Sequence, residues 1–157
     1  MNHVLSATEG ALKAYFEAAG ISGLDASNIV RTKESSYKTL PVLICACETA
    51  ERKQAKNWLV KGSLMLKTDP TSDTNDDRLA ESTVLEASVV EALEAIVPRT
   101  DQPQPLADAI TAAGIASGAV LVNEFMMTSF TINSLTSGFD DNEIWTFAVD
   151  FNATVIA

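Results

Sequence analysis

The residues with the clearest potential for chemistry are the acidic side chains of the segment "TDPTSDTNDD", residues 68–77. Oxygen-bearing side chains at alternating positions, from Asp69 to Asp77, suggest a calcium loop. An EF-hand loop requires Gly at its sixth position and a bidentate Glu at its twelfth, where this chain has Thr74 and Ala80. We therefore interpret the segment as a turn that caps the following helix and gives its first turn negative charge.

The sulfur and imidazole side chains are too few for a metal centre or a catalytic triad. Cys45 and Cys47 are the only cysteines and His3 is the only histidine, so a four-ligand Cys/His site cannot be completed. The two thiols would point to the same side of a strand, and we interpret them as buried core residues. A redox pair is the alternative, although it lacks the CxxC spacing.

No other catalytic or nucleotide-binding motif is present. Neither GxGxxG nor GxxxxGK[ST] occurs, and adjacent acidic pairs such as Asp140 and Asp141 are typical of solvated surface or helix caps. We therefore predict that the protein is not an enzyme and needs neither a cofactor nor a metal.

The charge balance limits the classes of partner. Twenty-one acidic and eleven basic residues give a formal net charge of −10, which disfavours binding to nucleic acid or to anionic lipid. No basic, apolar leader is present, and the longest apolar run, "LPVLICAC", is too short to span a bilayer. We expect a soluble protein that is made in a reducing cytoplasm and does not enter membranes.

Three segments have helical periodicity. The first covers residues 6–20, with Ser6 or Thr8 as the N-cap. The longest follows the Asp-rich turn, carries a broad apolar stripe and is ended by Pro98. A shorter helix is predicted over residues 104–114.

Alternating and continuous apolar patterns predict long strands. Residues 40–48 and 57–68 are predicted to pair antiparallel, because the charged connection between them is short. With the helices and the two strands that follow, this order predicts an α+β fold: a mainly antiparallel sheet of about four long strands with helices packed on one face. All 157 residues fit a single domain.

The chain is predicted to finish with a long C-terminal β-hairpin over about residues 119–156. Its second strand, 143–156, alternates almost without error, and its first covers 119–134. The turn "TSGFDDN" would place Phe139 at the exposed tip. Such an aromatic residue either folds back on its own sheet or docks a partner. A projecting hairpin can also add edge strands to a neighbour.

Two residues of the long helix depart from the pattern of a plain globular domain. Glu86 lies inside the apolar stripe, and Val84 lies on the outer side of the helix. An exposed Val is either incidental or part of a subunit contact.

The middle of the chain resembles a known family. The segment "LPVLICACETAE", the Trp-containing segment "NWLVKGSLMLKTDPTSDTNDDRLAE" and the long acidic helix, roughly residues 40–97, resemble the tail-terminator proteins of long-tailed bacteriophages. These proteins form a ring at the head-proximal end of the tail tube. The rest of the chain matches only in the order of its elements.

The resemblance implies a structural virion protein of the tail or neck, assembled in the bacterial host cytoplasm. Its expected partners are copies of itself, in a ring of typically six subunits, the tail tube protein and the head-tail connector. DNA would pass through the bore, and acidic residues lining it would repel DNA. The candidate contact residues toward subunits or tube are Val84, Glu86, Phe139, Asp140 and Asp141. Another connector or tail-tube protein, or a small acidic ligand-binding or enzymatic α+β domain, are the alternatives.

Overall fold

The computed structural model of the chain describes residues 4–31, 39–94 and 104–157. These residues form three α-helices, a short 3₁₀ turn and five strands. The helices are α1 (Val4–Ala19), α2 (Asn75–Glu94) and α3 (Gln104–Ser117), and the strands are β1 (Ile29–Arg31), β2 (Val42–Gln54), β3 (Asn57–Thr68), β4 (Met126–Phe139) and β5 (Trp145–Ile156).

The strands form one mixed sheet in the order β1-β2-β3-β5-β4. The four long strands pair antiparallel, as predicted, and β5 lies between β3 and β4. The short strand β1 was not predicted. It pairs parallel with β2, from Ile29 opposite Leu43 to Arg31 opposite Cys45, so the sheet has five strands rather than about four.

The three helices pack on one face of the sheet, where most of the core lies. Phe16 of α1, Val89 of α2 and Ile110 of α3 join Leu64 and Phe151 of the sheet in one apolar cluster, and all five are at most 1% exposed. Cys45 belongs to this cluster and Cys47 packs against it, as expected for core thiols. The predicted layering is therefore present in the structure.

The opposite face of the sheet has a smaller apolar cluster near β1 and β2. Val42, Ile44 and Ala46 are buried there, with Val30 and Met65 packed against them. Toward β5 this face carries small and polar side chains, because the residues that alternate with the buried positions of β5 are Thr, Ala, Asp and Asn.

Both Ser6 and Thr8 lie inside helix α1, which begins at Val4, so the prediction that one of them is the N-cap was wrong. The Thr8 hydroxyl donates instead to the Val4 carbonyl oxygen at 2.7 Å, inside the helix. The carboxylate of Glu9, only 4% exposed, accepts the backbone N–H of Cys47 at 2.8 Å. Glu9 thus joins α1 to β2 where the pairing of β2 with β3 shifts register after Cys47.

Strands β2 and β3 form a longer hairpin than predicted. The predicted connection after residue 48 is strand as far as Gln54, which pairs with Asn57 across a two-residue turn. From Glu51 to Gln54 both faces of this extension are exposed, so its charged residues did not produce a buried strand pattern. Gly62 lies at the crowded centre, where an added Cβ would lie 2.8 Å from Cζ of Phe151.

Strands β4 and β5 form a C-terminal hairpin, in which the first strand begins later in the sequence than predicted. Strand β4 begins at Met126 rather than at residue 119, and it continues to Phe139, which was predicted to lie in the turn. The turn itself comprises residues 140–144. Residues 119–125 connect α3 to β4 through a turn in which Asn123 has a φ of 71°.

The ends of the other helices differ from prediction in one place. Helix α3 continues to Ser117 beyond Gly114, whose missing side chain lets Ala11 of α1 approach closely; Gly118, with a φ of 80°, follows the helix. The predicted end of the long helix at Pro98 lies outside the described residues, as does His3.

Candidate assembly surfaces

Glu86 and Phe139 both contact Trp145, the first residue of β5. The Trp145 indole Nε1 donates to Oε2 of Glu86 at 2.9 Å, and the Phe139 ring meets the indole edge-on with 4.9 Å between ring centroids. The Arg78 guanidinium lies 5.8 Å from the centroid of the Phe139 ring. The carboxylate inside the apolar stripe is therefore an acceptor for a buried indole. Phe139 folds back on its own sheet, although it stays 44% exposed.

Asp140 organises the turn between β4 and β5. Its Oδ1 accepts the backbone N–H groups of Asn142 at 2.8 Å and Ile144 at 3.0 Å. Its own N–H donates to the Ile144 carbonyl oxygen at 2.9 Å. Asp140 thus has a structural task in the turn, while Asp141 is exposed beside it.

The structure brings four of the five predicted contact residues to one end of the sheet, namely Glu86, Phe139, Asp140 and Asp141. Val84 is 68% exposed on the outer side of α2, away from the buried face of the helix that carries Leu85 and Val89. A subunit or tube contact by any of the five residues stays a prediction.

The sequence-based prediction missed the exposed edge of β4. Residues 131–137 are all exposed, and β4 contains no charged residue and no proline. Ile132 lies opposite Phe151 and Leu135 opposite Val149, so both point to the helix-covered face of the sheet. Ile132 is 39% and Leu135 51% exposed, whereas their partners on β5 are buried. The sequence feature that could have indicated this edge is the absence of charged residues from the segment Met126–Phe139.

Helix α3 covers only the beginning of β4. The Thr111 hydroxyl accepts the backbone N–H of Met127 at 2.9 Å and donates to the Ala107 carbonyl oxygen at 2.9 Å. Met127 and Phe130 are buried, but every residue from 131 to 137 is exposed. The open part of this edge therefore begins where contact with α3 ends.

The opposite edge of the sheet is also largely open. Strand β1 pairs with β2 only from Leu43 to Cys45. The Cys47 N–H is bonded by Glu9, and residues 49–54 of β2 have a strand neighbour on the β3 side alone within the described part of the chain. Among the residues that the structure describes, the sheet thus has an open edge segment on each side.

The two ends of the sheet differ in charge. The end with the β2–β3 turn exposes Arg52, Lys53 and Lys56, and Lys53 pairs with Glu51 at 2.8 Å. The end with the β4–β5 turn is acidic, and its exposed carboxylates include Asp69, Asp73, Asp140, Asp141 and Glu143.

Exposed apolar side chains also lie on the connection between α3 and β4 and at the start of β4. Leu121 is 62%, Val122 60% and Met126 45% exposed. Met126 lies opposite Ile156, so this surface is at the same end of the sheet as the β2–β3 turn.

A cleft of about 540 Å³ opens between the end of α1, α2 and α3. Small and apolar residues dominate its lining, and the only charged side chain among them is Glu91. The lining residues include Tyr15, Ile21, Ser88, Ala92, Ala109 and Ala113.

The two thiols lie in the core, and two of the acidic residues lie at the start of α2. Burial, with the nearby Glu9 carboxylate, raises the pKa of both the Cys45 and the Cys47 thiol. Asp76 and Asp77 lie in the first turn of α2, as predicted, and the Thr74 hydroxyl accepts the N–H of Asp77 at 3.3 Å. No group of three or more His, Cys, Asp or Glu in the described ranges is placed to hold a metal ion.

Among the helices that the structure describes, none has the length and apolar character required to cross a membrane. No family model and no curated protein matches the sequence. The fold does match a solved structure, a chain from the virion of a native gene transfer agent particle. The alignment covers 99% of this chain and 100% of that chain, with a TM-score of 0.55 and 9% sequence identity. This likeness shows the fold.

Proposed function

We propose that this chain is a structural protein of a phage-like virion. Within that class we assign it to the ring that caps the tail tube, ends its polymerisation and joins the tail to the head connector. The observation that carries the proposal is the fold match with a chain of a gene transfer agent virion, which extends over 99% of this chain and 100% of that chain. The resemblance of residues 40–97 to tail terminators supports the position in the tail.

The open edges of the sheet support an assembly role. A soluble monomer generally blunts its sheet edges with charges, prolines or covering loops, and the exposed part of β4 has no charged residue and no proline. The apolar side chains of Ile132 and Leu135 make this edge a surface that gains from being covered.

The opposite charges at the two ends of the sheet support a joining role. If the strands run roughly along the ring axis, one ring face carries Lys53 and Lys56 and the other carries Asp140 and Asp141. Two different faces suit a protein that meets the tube on one side and the connector on the other, since complementary potentials select partners. The net charge of −10 also suits a bore through which DNA passes without adhering.

Electron microscopy of the negatively stained purified protein, together with native mass spectrometry, tests this proposal. We expect closed rings of typically six subunits. Open-ended tubes would indicate a tail-tube protein instead. A monomer that retains a small molecule in the cleft lined by Tyr15 and Glu91 would contradict the proposal and favour a ligand-binding domain.

A further inference from the structure

We infer that copies of this chain join head to tail by pairing strand β4 of one subunit with strand β2 of the next, so that the sheet continues from subunit to subunit. The inference rests on the proposed ring and adds the surface that closes it. The partner is a second copy of this chain.

The exposed part of β4 has the physical properties of a strand that is covered in its working state. Residues 131–137, "TINSLTS", combine β-forming residues with no charge and no proline, which is the composition that pairs with other chains when left open. Ile132 and Leu135 extend the apolar face of the sheet beyond the last residue that α3 buries, Phe130. A strand added at this edge would satisfy the backbone groups and bring side chains over both residues.

The matching edge lies on the other side of the same sheet. The part of β2 that is open among the described residues, 49–54, and the exposed part of β4, 131–137, are of similar length. Pairing one with the other uses each edge once in every subunit, which is the heterologous contact that a closed ring requires. Pairing β4 with β4 of a second copy would close a two-fold dimer and leave β2 open.

The charges on the two edges also favour this pairing. Two copies of a chain with net charge −10 repel each other, so their contact is best placed where carboxylates do not face carboxylates. Strand β4 carries no charge, and residues 49–54 of β2 carry Glu51 beside Arg52 and Lys53. The interface therefore brings no excess of negative charge together.

The direction of the strands is compatible with a ring. Within one subunit β2 and β4 run in opposite directions, because each of the pairings β2–β3, β3–β5 and β5–β4 is antiparallel. Copies related by rotation about a ring axis would thus pair β4 with β2 antiparallel. Cys45 is level with Leu135 across the sheet, so the open stretches lie at different heights. Rotation about an axis parallel to the strands would keep these heights, so the strands must be tilted to the ring axis, as they are in closed barrels.

Helix α1 of the next copy would cover the exposed side chains of Ile132 and Leu135. Helix α1 lies over β2 in its own subunit, where Glu9 accepts the Cys47 N–H. In a continued sheet it would come beside Ile132 and Leu135 of the preceding subunit, which α3 of that subunit leaves exposed.

Cross-linking of two singly substituted proteins tests this arrangement. One protein carries Ser134→Cys on β4 and the other carries Thr49→Cys on β2, and both positions are exposed. Each protein alone and the two mixed are treated with a short bis-maleimide at a concentration where wild-type assembly is measured. Ala116→Cys, exposed on α3 away from both edges, is the matched control, and the wild type reports reaction of Cys45 and Cys47.

We expect the mixture to give a cross-linked dimer of Ser134→Cys with Thr49→Cys, several-fold above either protein alone and above mixtures with Ala116→Cys. Dimers formed by Ser134→Cys alone would show two-fold pairing and overturn the inference. Rings that assemble without the mixed cross-link would overturn it while leaving the proposed function intact. A monomer without any cross-link would count against both.

Discussion

The Trp145 indole nitrogen donates to a carboxylate oxygen of Glu86 at 2.9 Å, across 59 residues of sequence. The bond joins the first residue of β5 to the middle of α2, and Trp145 is only 6% exposed. Contact with the Phe139 ring completes the closure of this end of the sheet. The carboxylate that looked misplaced in an apolar stripe therefore holds α2 at its position above β5.

Replacing Glu86 by Ala should destabilise the fold. The indole N–H would lose its acceptor in a buried environment, which costs about 1–3 kcal/mol. Urea denaturation monitored by Trp fluorescence measures the change in the free energy of unfolding. Glu91→Ala, at an exposed position of the same helix, is the control and should stay close to wild type. Equal effects of the two substitutions would show that the Trp145 contact contributes nothing.

Replacing Gly62 by Ala should also destabilise the fold, because its Cβ would overlap the Ala46 carbonyl oxygen and the Phe151 ring. Overpacking of this kind costs about 1–3 kcal/mol. Gly138→Ala is the matched control, since nothing lies within 4 Å of an added Cβ there. Thermal unfolding followed by circular dichroism should separate the two variants, and a stable Gly62→Ala protein would contradict the close approach of β2, β3 and β5.

Replacing Thr111 by Val should free the first N–H of the β4 edge. The variant keeps the shape of the side chain but loses the oxygen that accepts the Met127 N–H. We expect faster hydrogen exchange of the Met127 amide, measured by NMR, and a loss of about 1–3 kcal/mol in stability. Thr83→Val is the control, because the Thr83 hydroxyl bonds only within its own helix, to the Ala80 carbonyl oxygen. Unchanged exchange at Met127 would show that α3 does not protect this edge.

The buried thiols should make stability fall at high pH. Burial raises the pKa of the Cys45 and Cys47 thiols above that of cysteine in an unfolded chain, about 8.5. Above about pH 8 the unfolded state therefore binds fewer protons than the folded state, and the free energy of unfolding decreases as the pH rises. Urea titrations between pH 7 and 10 measure the slope.

The variant with both cysteines replaced by Ala separates this contribution from that of Tyr15, whose pKa is raised by burial and acts in the same direction. Groups near the thiols, Glu9, Lys13, Glu17 and Arg31, are kept in the variant. We expect a shallower decline of stability with pH. A decline as steep as that of the wild type would assign the effect to other groups.

Replacing Leu135 by Lys should prevent ring formation while leaving the fold intact. The side chain is half exposed in the single subunit, so its loss should change the free energy of unfolding by no more than about 1 kcal/mol. Val84→Lys is the informative partner, since Val84 is still more exposed and lies on α2. Native mass spectrometry should find monomers of the first variant and rings of the second. The reverse result would place the contact on the outer side of α2.

The sequence predicted those elements in which one face is buried along the whole length. Strand β5 alternates strictly and β3 does so over part of its length, and both were located within about two residues, the usual precision of an element boundary. The end of β2 failed for a physical reason: both of its faces are exposed, so residues such as Glu51 and Lys53 show no alternation. The three residues of β1 were too few to give a periodic pattern.

The candidate surface was harder to predict because its members depend on contacts from distant segments. The pattern identified Glu86 as unusual but could not supply its partner, Trp145, which is 59 residues away. Phe139 was placed in the turn because the segment "TSGFDDN" contains the residues that favour turns. The sequence did not show that β4 is an edge strand, because this depends on the strand order. In the structure β5 lies between β3 and β4, which makes β4 the outermost strand.

The strand order also has a consequence for synthesis on the ribosome. Strand β5 is translated after β3 and β4, yet it forms the bridge between them. Until it leaves the exit tunnel, β4 lacks its only neighbour in the sheet and exposes an uncharged, fourteen-residue segment to other nascent chains. The sheet therefore cannot cover this segment until its central strand β5 is in place, so the two C-terminal strands must join the sheet together.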